Sequence, residues 1–352
     1  MLDFSSIWVE LTPRCNQRCV YCYNAWRGEP EAAVGELTAD QVCTLIDKVR
    51  TDAKLSVVTL SGGEPFLRPD ILNIIDRVNA RGLSVSIISN GSLVSEEMAR
   101  GLTTRDIHYV QVTLAGPDAG THDAHCGSGS FEGTTRAARR LTDAGVDVGG
   151  SFLCTSRSFD RTGATLERMR TVGIRHHYAF NRINPSGHAA ERVADLMPTR
   201  SQVLVALGQA EAFAVAHDTE LHCTMPIPHC MVDEAQFPHI SFGQCSAGSG
   251  SAEYAIDARG NLKLCPLQQH PIGSLWKHSF ADLVKDEAVS RFRQGVPEFC
   301  RECPHAEGCL GGCGAAAEWA FGSASEVDPF LAQHVMADFP DRAGLKDEAK
   351  KG

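Results

Sequence analysis

The 352-residue sequence lacks any long apolar run, since no stretch approaches the roughly eighteen residues that a membrane-spanning helix needs. Its first residues contain no basic segment followed by an apolar core, so they do not resemble a secretory signal. Positive charge is also scarce: the net charge is −10, which argues against binding to nucleic acid or anionic lipid. We therefore predict a cytoplasmic protein that has neither nucleic acid nor a membrane as a partner.

Cysteine, by contrast, is abundant, with fourteen in the chain. In a long cytoplasmic chain, clustered cysteines indicate metal binding rather than disulfides. One group lies near the start, at Cys15, Cys19 and Cys22. A second group lies near the end, with Cys230 as a further candidate member: Cys245, Cys265, Cys300, Cys303, Cys309 and Cys313. The other four cysteines are scattered along the chain, and their simplest interpretation is that they are small buried apolar residues: Cys43, Cys126, Cys154 and Cys223.

Strand and helix patterns alternate through the first 220 residues. The predicted strands are 6–12, 55–65, 83–92, 107–116, 146–154 and 175–183. The predicted helices are 38–50, 68–82, 95–102, 131–145, 160–173 and 199–218. Six such units predict an α/β fold, a partial (β/α)6 TIM-like barrel with a parallel sheet. In such barrels the chemistry lies beyond the carboxyl ends of the strands, where the first cysteines and the glycine turns fall.

The pattern changes near residue 219, which divides the chain into regions. We predict a barrel over 1–220, a linker rich in Pro and His over 221–240, a small cysteine-rich domain over 241–331, and a polar tail over 332–352. The cysteine-rich region contains only short predicted strands, at 252–257 and 261–266. Because it has too few apolar residues for an independent core, we expect bound metal to stabilise it.

The first three cysteines are separated by three and then two residues, with no fourth cysteine or histidine nearby. Structural zinc sites usually combine paired units into four ligands, so a zinc knuckle would need a distant fourth residue. An iron–sulfur cluster held by three thiolates instead leaves one iron open. That iron can bind a substrate or cofactor directly.

The stretch "CNQRCVYC" resembles the CxxxCxxC signature of the radical S-adenosylmethionine (SAM) enzymes. The resemblance implies a 4Fe–4S cluster on these cysteines whose open iron chelates SAM, and an external one-electron reductant of flavodoxin or ferredoxin type. "SGGEP" (61–65) and "ISNGS" (88–92) resemble the turns that follow the family's second and third strands. By the same resemblance, the SAM-binding residues are Gly62, Gly63, Glu64, Pro65 and Asn90.

The later cysteines resemble a SPASM domain, a module that carries auxiliary iron–sulfur clusters. "CRECPHAEGCLGGC" (300–313) has the family spacing, and Cys245 is followed by Gly260, four residues and Cys265. The resemblance implies one or two auxiliary 4Fe–4S clusters. The first would use Cys245, Cys265 and Cys313, and Cys230 is the leading candidate for its fourth ligand, ahead of Cys223 and His239.

The second auxiliary cluster would use Cys300, Cys303 and Cys309, but the family's final cysteine is missing. Where it usually follows an Asp-Pro pair, this chain reads Asp328, Pro329, Phe330. Asp328 or another oxygen or nitrogen ligand could replace the thiolate. The site could also be open or absent.

Other positions depart from the family pattern. Ala115 stands where relatives often have an acid, and Cys126 where they often have an arginine. Pro266 stands where sulfatase maturases place a catalytic Asp, which argues against that activity. Only fourteen residues precede Cys15, so we expect no leader-recognition domain before the barrel.

The resemblance implies an oxidoreductase that cleaves SAM to a 5′-deoxyadenosyl radical and abstracts a hydrogen atom from a substrate. The favoured substrate is a peptide or protein, in the maturation of a natural product. The alternative is a dehydrogenase or epimerase of a small molecule such as a sugar, aminoglycoside or nucleoside. An epimerase needs a thiol that returns a hydrogen atom, for which the candidates are Cys126, Cys230, Cys154 and Cys223.

Overall fold

The computed structural model describes residues 2–24 and 35–338, with the backbone alone for the last four. It contains one sheet in the strand order β11-β10-β9-β1-β2-β3-β4-β5-β6-β7-β8. From β1 to β8, every neighbouring pair of strands is parallel. The strands are β1 (Ser6–Thr12), β2 (Val57–Gly62), β3 (Ser84–Ser89), β4 (Ile107–Leu114), β5 (Val148–Cys154), β6 (Tyr178–Arg182), β7 (Leu221–Cys223), β8 (Ile240–Phe242), β9 (Ala255–Ile256), β10 (Asn261–Lys263) and β11 (Gly273–Ser274).

Helices connect the parallel strands and continue into the cysteine-rich region. Two of them begin at a capping box, in which Thr38 pairs with Gln41 and Thr199 with Gln202. The described helices are α1 (Ala39–Asp52), α2 (Ile71–Asn79), α3 (Glu96–Leu102), α4 (Ala119–Cys126), α5 (Ser130–Ala144), α6 (Thr162–Thr171), α7 (Val193–Leu196), α8 (Arg200–His217), α9 (Phe280–Val284), α10 (Glu287–Gln294), α11 (Ala306–Cys309), α12 (Gly314–Phe321) and α13 (Pro329–Asp338).

The two faces of the parallel sheet differ in chemistry because successive side chains on a strand point to opposite faces. One face is apolar and packs in the main core with the helices, as Val9, Val85 and Phe152 do. Polar residues on the opposite face are aligned across neighbouring strands, where Thr59 pairs with Ser86 and Thr113 with Ser151. The second face therefore lines the inside of the open barrel with polar groups.

The structure confirms the predicted α/β class and all six predicted strands of the barrel, and β1 has the bounds that we expected. It adds β7 and β8, which continue the parallel sheet at the two ends of the segment 221–240 that we interpreted as a linker, and β8 extends beyond that segment to Phe242. Three-residue strands are too short to produce a recognisable period, and Pro226 and Pro228 lie between them. The domain boundaries themselves stay a prediction.

The cysteine-rich region extends the barrel sheet instead of forming a separate one. Strand β9 pairs in parallel with β1, and Trp8 lies opposite Ala255. The ring of Phe4 packs edge-on against Tyr254 and Phe280, at centroid distances of 5.3 and 5.8 Å. Apolar residues of both regions therefore share one core. This shared core supplies apolar contacts that we did not foresee for the region.

At the C-terminus, α13 covers the beginning of the predicted polar tail 332–352, and residues 339–352 lie outside the described residues. Within the described parts of the chain, none of the helices combines the length and the apolar character that crossing a bilayer demands.

Candidate active site

The loop that carries Cys15, Cys19 and Cys22 follows β1 and rests on the glycine turn after β2. The backbone N–H of Gly63 donates to the carbonyl of Thr12 at 2.7 Å, and that of Glu64 donates to the carbonyl of Arg14 at 2.8 Å. A Cβ atom on Gly63 would lie 2.0 Å from the Arg14 carbonyl oxygen. Only glycine allows the two backbones to approach so closely. The turn thereby sets the position of the cysteine loop.

The carboxylate of Glu64 joins this turn to the turn after β3. It is 0% exposed and accepts hydrogen bonds from Phe66 N at 3.0 Å, Ser89 Oγ at 2.8 Å and Asn90 N at 2.8 Å. Burial raises the pKa of Glu64, and these three hydrogen bonds oppose the rise. Because both carboxylate oxygens already accept hydrogen bonds from the two turns, the backbone of Glu64 is the part left to contact a cofactor.

Asn90 connects the second turn to the cysteine loop. Its Nδ2 atom lies 2.9 Å from Asn16 Oδ1 and 3.9 Å from Cys15 Sγ. The five residues predicted to bind SAM therefore surround the loop at the carboxyl ends of β2 and β3. Their contacts with SAM stay a prediction.

The cysteine loop has the donor chemistry that an iron–sulfur cluster requires. Burial raises the pKa of the Cys15 thiol to about 11, and the charges of Cys19 and Cys22 contribute to that rise. Beside them, Gln17 Oε1 lies 3.5 Å from Cys19 Sγ. The buried Nε2 atom of Gln17 has no hydrogen-bond partner among the described residues. An unsatisfied donor beside three thiols fits a bound group that accepts hydrogen bonds, as cluster sulfides do.

The C-terminal end of helix α4 contacts the same loop. The Oη atom of Tyr21 lies 3.1 Å from Cys126 Sγ, and Val20 N donates to the carbonyl of His125 at 2.8 Å. Burial raises the pKa of Tyr21, with the charges of Cys126 and Cys19 adding to the effect. Cys126 is 2% exposed. Cys126 is therefore a buried residue that contacts the cluster loop through Tyr21.

The turn after β4, where Ala115 replaces the acid, is stabilised by a histidine of α4. Ala115 N donates to His122 Nδ1 at 3.1 Å. Burial lowers the pKa of His122 to about 4, so this nitrogen stays available as an acceptor.

Three cysteines of the second region form a first auxiliary group: Cys245, Cys265 and Cys313. Burial raises the pKa of Cys265 to about 12, with the charge of Cys245 adding to it. The pKa of Cys313 is also raised by burial and by the charges of Cys245 and Cys265. Asn184 Nδ2 lies 3.5 Å from Cys313 Sγ. An amide donor beside a buried cysteine fits a thiolate that binds a cluster, because a thiolate accepts hydrogen bonds.

The other three cysteines form a second auxiliary group, and Cys230 joins them. Burial raises the pKa of Cys300 to about 12, and the charges of Cys309, Cys230 and Cys303 contribute. We expected Cys230 beside Cys245, Cys265 and Cys313; instead, its neighbour His229 stacks on His305, between Cys303 and Cys309, with centroids 4.5 Å apart. The reason is tertiary: the loop after β7 turns toward α11 instead of toward β10.

The weaker candidates for the fourth ligand of the first group also lie elsewhere. The pKa of Cys223 is raised by burial and by the charge of Cys154, its neighbour in the core. His239 Nδ1 lies 2.6 Å from Glu211 Oε1 on the outer side of the sheet. Cys223 therefore packs in the core, and His239 contacts α8 at the edge of the sheet.

Asp328 stands with the first auxiliary group rather than with the second. Its Oδ2 atom pairs with the guanidinium of Arg182 and accepts from Cys313 N at 2.8 Å, while Oδ1 accepts from Phe330 N at 2.8 Å. Both oxygens are therefore occupied. The alternative in which Asp328 replaces the missing thiolate of Cys300, Cys303 and Cys309 does not agree with this geometry.

The first auxiliary group adjoins the cysteine loop of the barrel. Burial raises the pKa of Tyr23, and the charges of Glu10, Cys22 and Cys265, which come from both groups and from β1, reinforce the rise. A buried ion pair between Lys263 Nζ and Glu10 Oε1, 2.6 Å apart, links β10 to β1 at the same place. The pairing of β9 with β1 is what brings these groups together.

For the alternative of a zinc site, the structure provides one observation. Among the described residues, no three His, Cys, Asp or Glu side chains meet in a way that could hold a single metal ion.

Comparison with known proteins agrees with this site. Residues 9–180 match the model of the radical SAM superfamily, and residues 245–304 match the SPASM iron–sulfur cluster-binding domain. The chain belongs to the radical SAM enzymes that carry a SPASM domain. It is thus an enzyme of hydrogen-atom abstraction, and its cofactors are a SAM-binding 4Fe–4S cluster, SAM and auxiliary iron–sulfur clusters.

Individual relatives match most of the chain. The mycofactocin maturase MftC of Mycobacterium tuberculosis is 28% identical over 331 residues, which cover 87% of this chain and 77% of the relative. The PqqA peptide cyclase of Streptomyces rochei is 26% identical over 335 residues, covering 91% and 87%. Streptococcus suis SuiB bound to its precursor peptide SuiA has a similar fold, with a TM-score of 0.72, 14% identity, and coverage of 93% and 74%.

Sequence reasoning missed several residues of the site: Gln17, Tyr23, Arg182, Asn184 and the pair of Glu10 with Lys263. Each has an ordinary local context, in a strand or in a loop. The only available signal was the position of Glu10, a charged residue within an otherwise apolar strand, which indicates a buried partner.

Proposed function

We propose that this enzyme is a peptide maturase, which abstracts a hydrogen atom from a ribosomally made precursor peptide. The observation that carries the proposal is the extent of the similarity to two enzymes named for such roles. The match to the maturase and the cyclase includes the barrel and the cysteine-rich region together. A small-molecule substrate has no comparable support.

When bound, the cluster and SAM supply the radical that removes hydrogen from unactivated carbon. The protein's part is to hold and orient the substrate. On the inner face of the barrel, Asn181 Nδ2 lies 3.3 Å from Ser151 Oγ, and its Oδ1 accepts from Thr224 Oγ1 at 2.6 Å. Such amide and hydroxyl groups suit a peptide backbone, which offers both donors and acceptors.

We also propose that the outcome is net oxidation. A redox-neutral epimerisation needs a thiol that faces the substrate, and the surroundings of the four candidate thiols favour other roles for them. Cys154 and Cys223 are buried in the core, Cys126 packs under Tyr21, and Cys230 lies beside Cys300. Auxiliary clusters could accept the electron left on the substrate radical.

The test is an anaerobic assay of the iron-loaded protein with SAM, a chemical reductant and a precursor peptide encoded beside its gene. We expect the peptide to increase 5′-deoxyadenosine formation and to lose mass corresponding to two hydrogen atoms. The C15A, C19A and C22A variant serves as the control and should form neither product. Turnover of a sugar, aminoglycoside or nucleoside, with no change in any peptide, would contradict the proposal.

A reductant of flavodoxin or ferredoxin type, a cytoplasmic location and the absence of nucleic-acid or membrane partners stay predictions from the sequence.

A further inference from the structure

The loop between β7 and β8 reaches across to the second auxiliary group. The imidazole of His229 stacks on that of His305, with centroids 4.5 Å apart and planes inclined by 29°. His229 directly precedes Cys230, and His305 lies in the chain between Cys303 and Cys309. The stack therefore sets the backbone of Cys230 against the segment that carries two of the three cysteines.

Hydrogen bonds fix this loop on both sides of Cys230. Arg182 Nη2 donates to the carbonyl of Pro226 at 2.9 Å, and Arg200 Nε donates to the carbonyl of Met231 at 2.8 Å. Within the loop, Met231 N donates to the carbonyl of Pro228 at 2.8 Å. The backbone on both sides of Cys230 is thus anchored to the barrel, in addition to the contact that His229 makes with the cysteine-rich region.

Backbone hydrogen bonds hold Cys300, Cys303 and Cys309 in one compact segment. Cys303 N donates to the carbonyl of Cys300 at 3.0 Å, and Cys309 N donates to the carbonyl of His305 at 2.9 Å. His305 therefore belongs to the segment that bears these three thiols, and its stack with His229 brings Cys230 to that segment. Cys313 has other neighbours, since its Sγ lies 3.5 Å from Asn184 Nδ2 and its N–H donates to Asp328 Oδ2 at 2.8 Å. Cys230 therefore belongs with the second group.

We propose that Cys230, Cys300, Cys303 and Cys309 together hold an auxiliary 4Fe–4S cluster with four thiolate ligands. Each thiol gives up its proton when it binds iron, as thiolate coordination requires. Cys230 then supplies the ligand that is missing after Asp328, and it comes from the barrel side of the chain. The cluster would tie the loop after β7 to the C-terminal cysteines. This inference concerns cluster ligation and is independent of the nature of the substrate.

The test begins from the C15A, C19A and C22A variant, in which only auxiliary clusters remain. We expect it to hold about eight irons, and the addition of C230A to reduce that number by about four or to convert a four-iron into a three-iron cluster. Iron and sulfide analysis measures the first result, and Mössbauer and electron paramagnetic resonance spectra measure the second. Cys230 is an exposed residue, so the substitution should leave the fold intact, which circular dichroism can check.

Double variants show which cluster Cys230 serves. In the same background, C230A combined with C300A should lose no more iron than C300A alone, because both changes affect one cluster. C230A combined with C265A should lose iron from both clusters. The matched control is C43A, which removes a thiol from α1, far from either group, and should retain all the iron.

Two results would overturn the proposal. One is a C230A variant with unchanged iron content and spectra. The other is an additional loss of iron when C230A is combined with C300A but not when it is combined with C265A, which would assign Cys230 to the first auxiliary group.

Discussion

Arg182 and Asp328 form an ion pair in which both side chains are 0% exposed, and it joins the end of β6 to the residue before α13. The same guanidinium donates to the carbonyl of Pro226 and lies 5.0 Å from the centre of the Phe330 ring. The same carboxylate accepts from Cys313 N. One buried pair therefore organises the loop that bears Cys230 and the backbone of Cys313.

We predict that Asp328→Ala lowers the free energy of unfolding by about 3–5 kcal/mol, because it leaves the Arg182 charge buried without its carboxylate. Denaturant unfolding measures the change. The control is Glu96→Ala, which removes an exposed pairing with Arg100 and should cost less than about 1 kcal/mol. A variant that keeps its stability but loses the iron of the second auxiliary group would instead identify Asp328 as a ligand.

The glycine turn offers a prediction about the SAM-binding cluster. Gly63→Ala should displace the backbone before Cys15, since the new Cβ would meet the Arg14 carbonyl at 2.0 Å. We expect a loss of about four irons and at least a tenfold fall in 5′-deoxyadenosine formation. Gly208→Ala is the matched control, because its Cβ would meet no atom within 4 Å in α8. That change should leave activity intact and add up to about 1 kcal/mol of stability. Normal cluster loading in the Gly63 variant would contradict the role of this turn.

The third prediction concerns Cys126. Cys126→Ala should reduce the free energy of unfolding by about 1–2 kcal/mol through a small cavity and the lost contact with Tyr21. The variant should still cleave SAM. Neither the wild-type product nor the variant product should carry a hydrogen from solvent at the carbon that reacts. Mass spectrometry of products formed in deuterated water checks this. Solvent deuterium that appears in the wild-type product and disappears in the variant would establish Cys126 as a hydrogen donor.

His122 makes a pH-dependent contribution to stability. Because burial lowers its pKa from the ordinary 6.5 to about 4, the unfolded chain binds a proton between these values and the folded chain does not. Stability contributed by the neutral ring is present above pH 6.5 and decreases as the pH falls toward 4, by about 3 kcal/mol in total.

His122→Gln keeps an acceptor for Ala115 N without this titration. We therefore expect the difference in unfolding free energy between wild type and variant to change with pH in that window. The control is His176→Gln at an exposed position, and its unfolding free energy should change with pH as that of wild type does. Parallel pH profiles for wild type and the His122 variant would show that the proton is bound elsewhere.

Short-range patterns made much of this protein predictable. The spacing of Cys15, Cys19 and Cys22 and the glycines of the turn at 61–65 act over a few residues, where covalent geometry limits what the chain can do. The six barrel strands were recognisable because each is long enough to show a period. The membership of the chain in its enzyme family followed from these local features, and the comparisons confirm it.

The tertiary structure alone decided which thiols belong together and what Asp328 does. Cys230 is far in sequence from Cys300, and only the course of the loop after β7, anchored by Arg182 and stacked through His229, brings them together. Likewise, the pairing of β9 with β1 brought charges of both cysteine groups to Tyr23. Such contacts depend on packing between distant segments, which spacing along the chain does not encode. The sequence by itself therefore determined the chemistry that is available, and the fold determined how the ligands are shared.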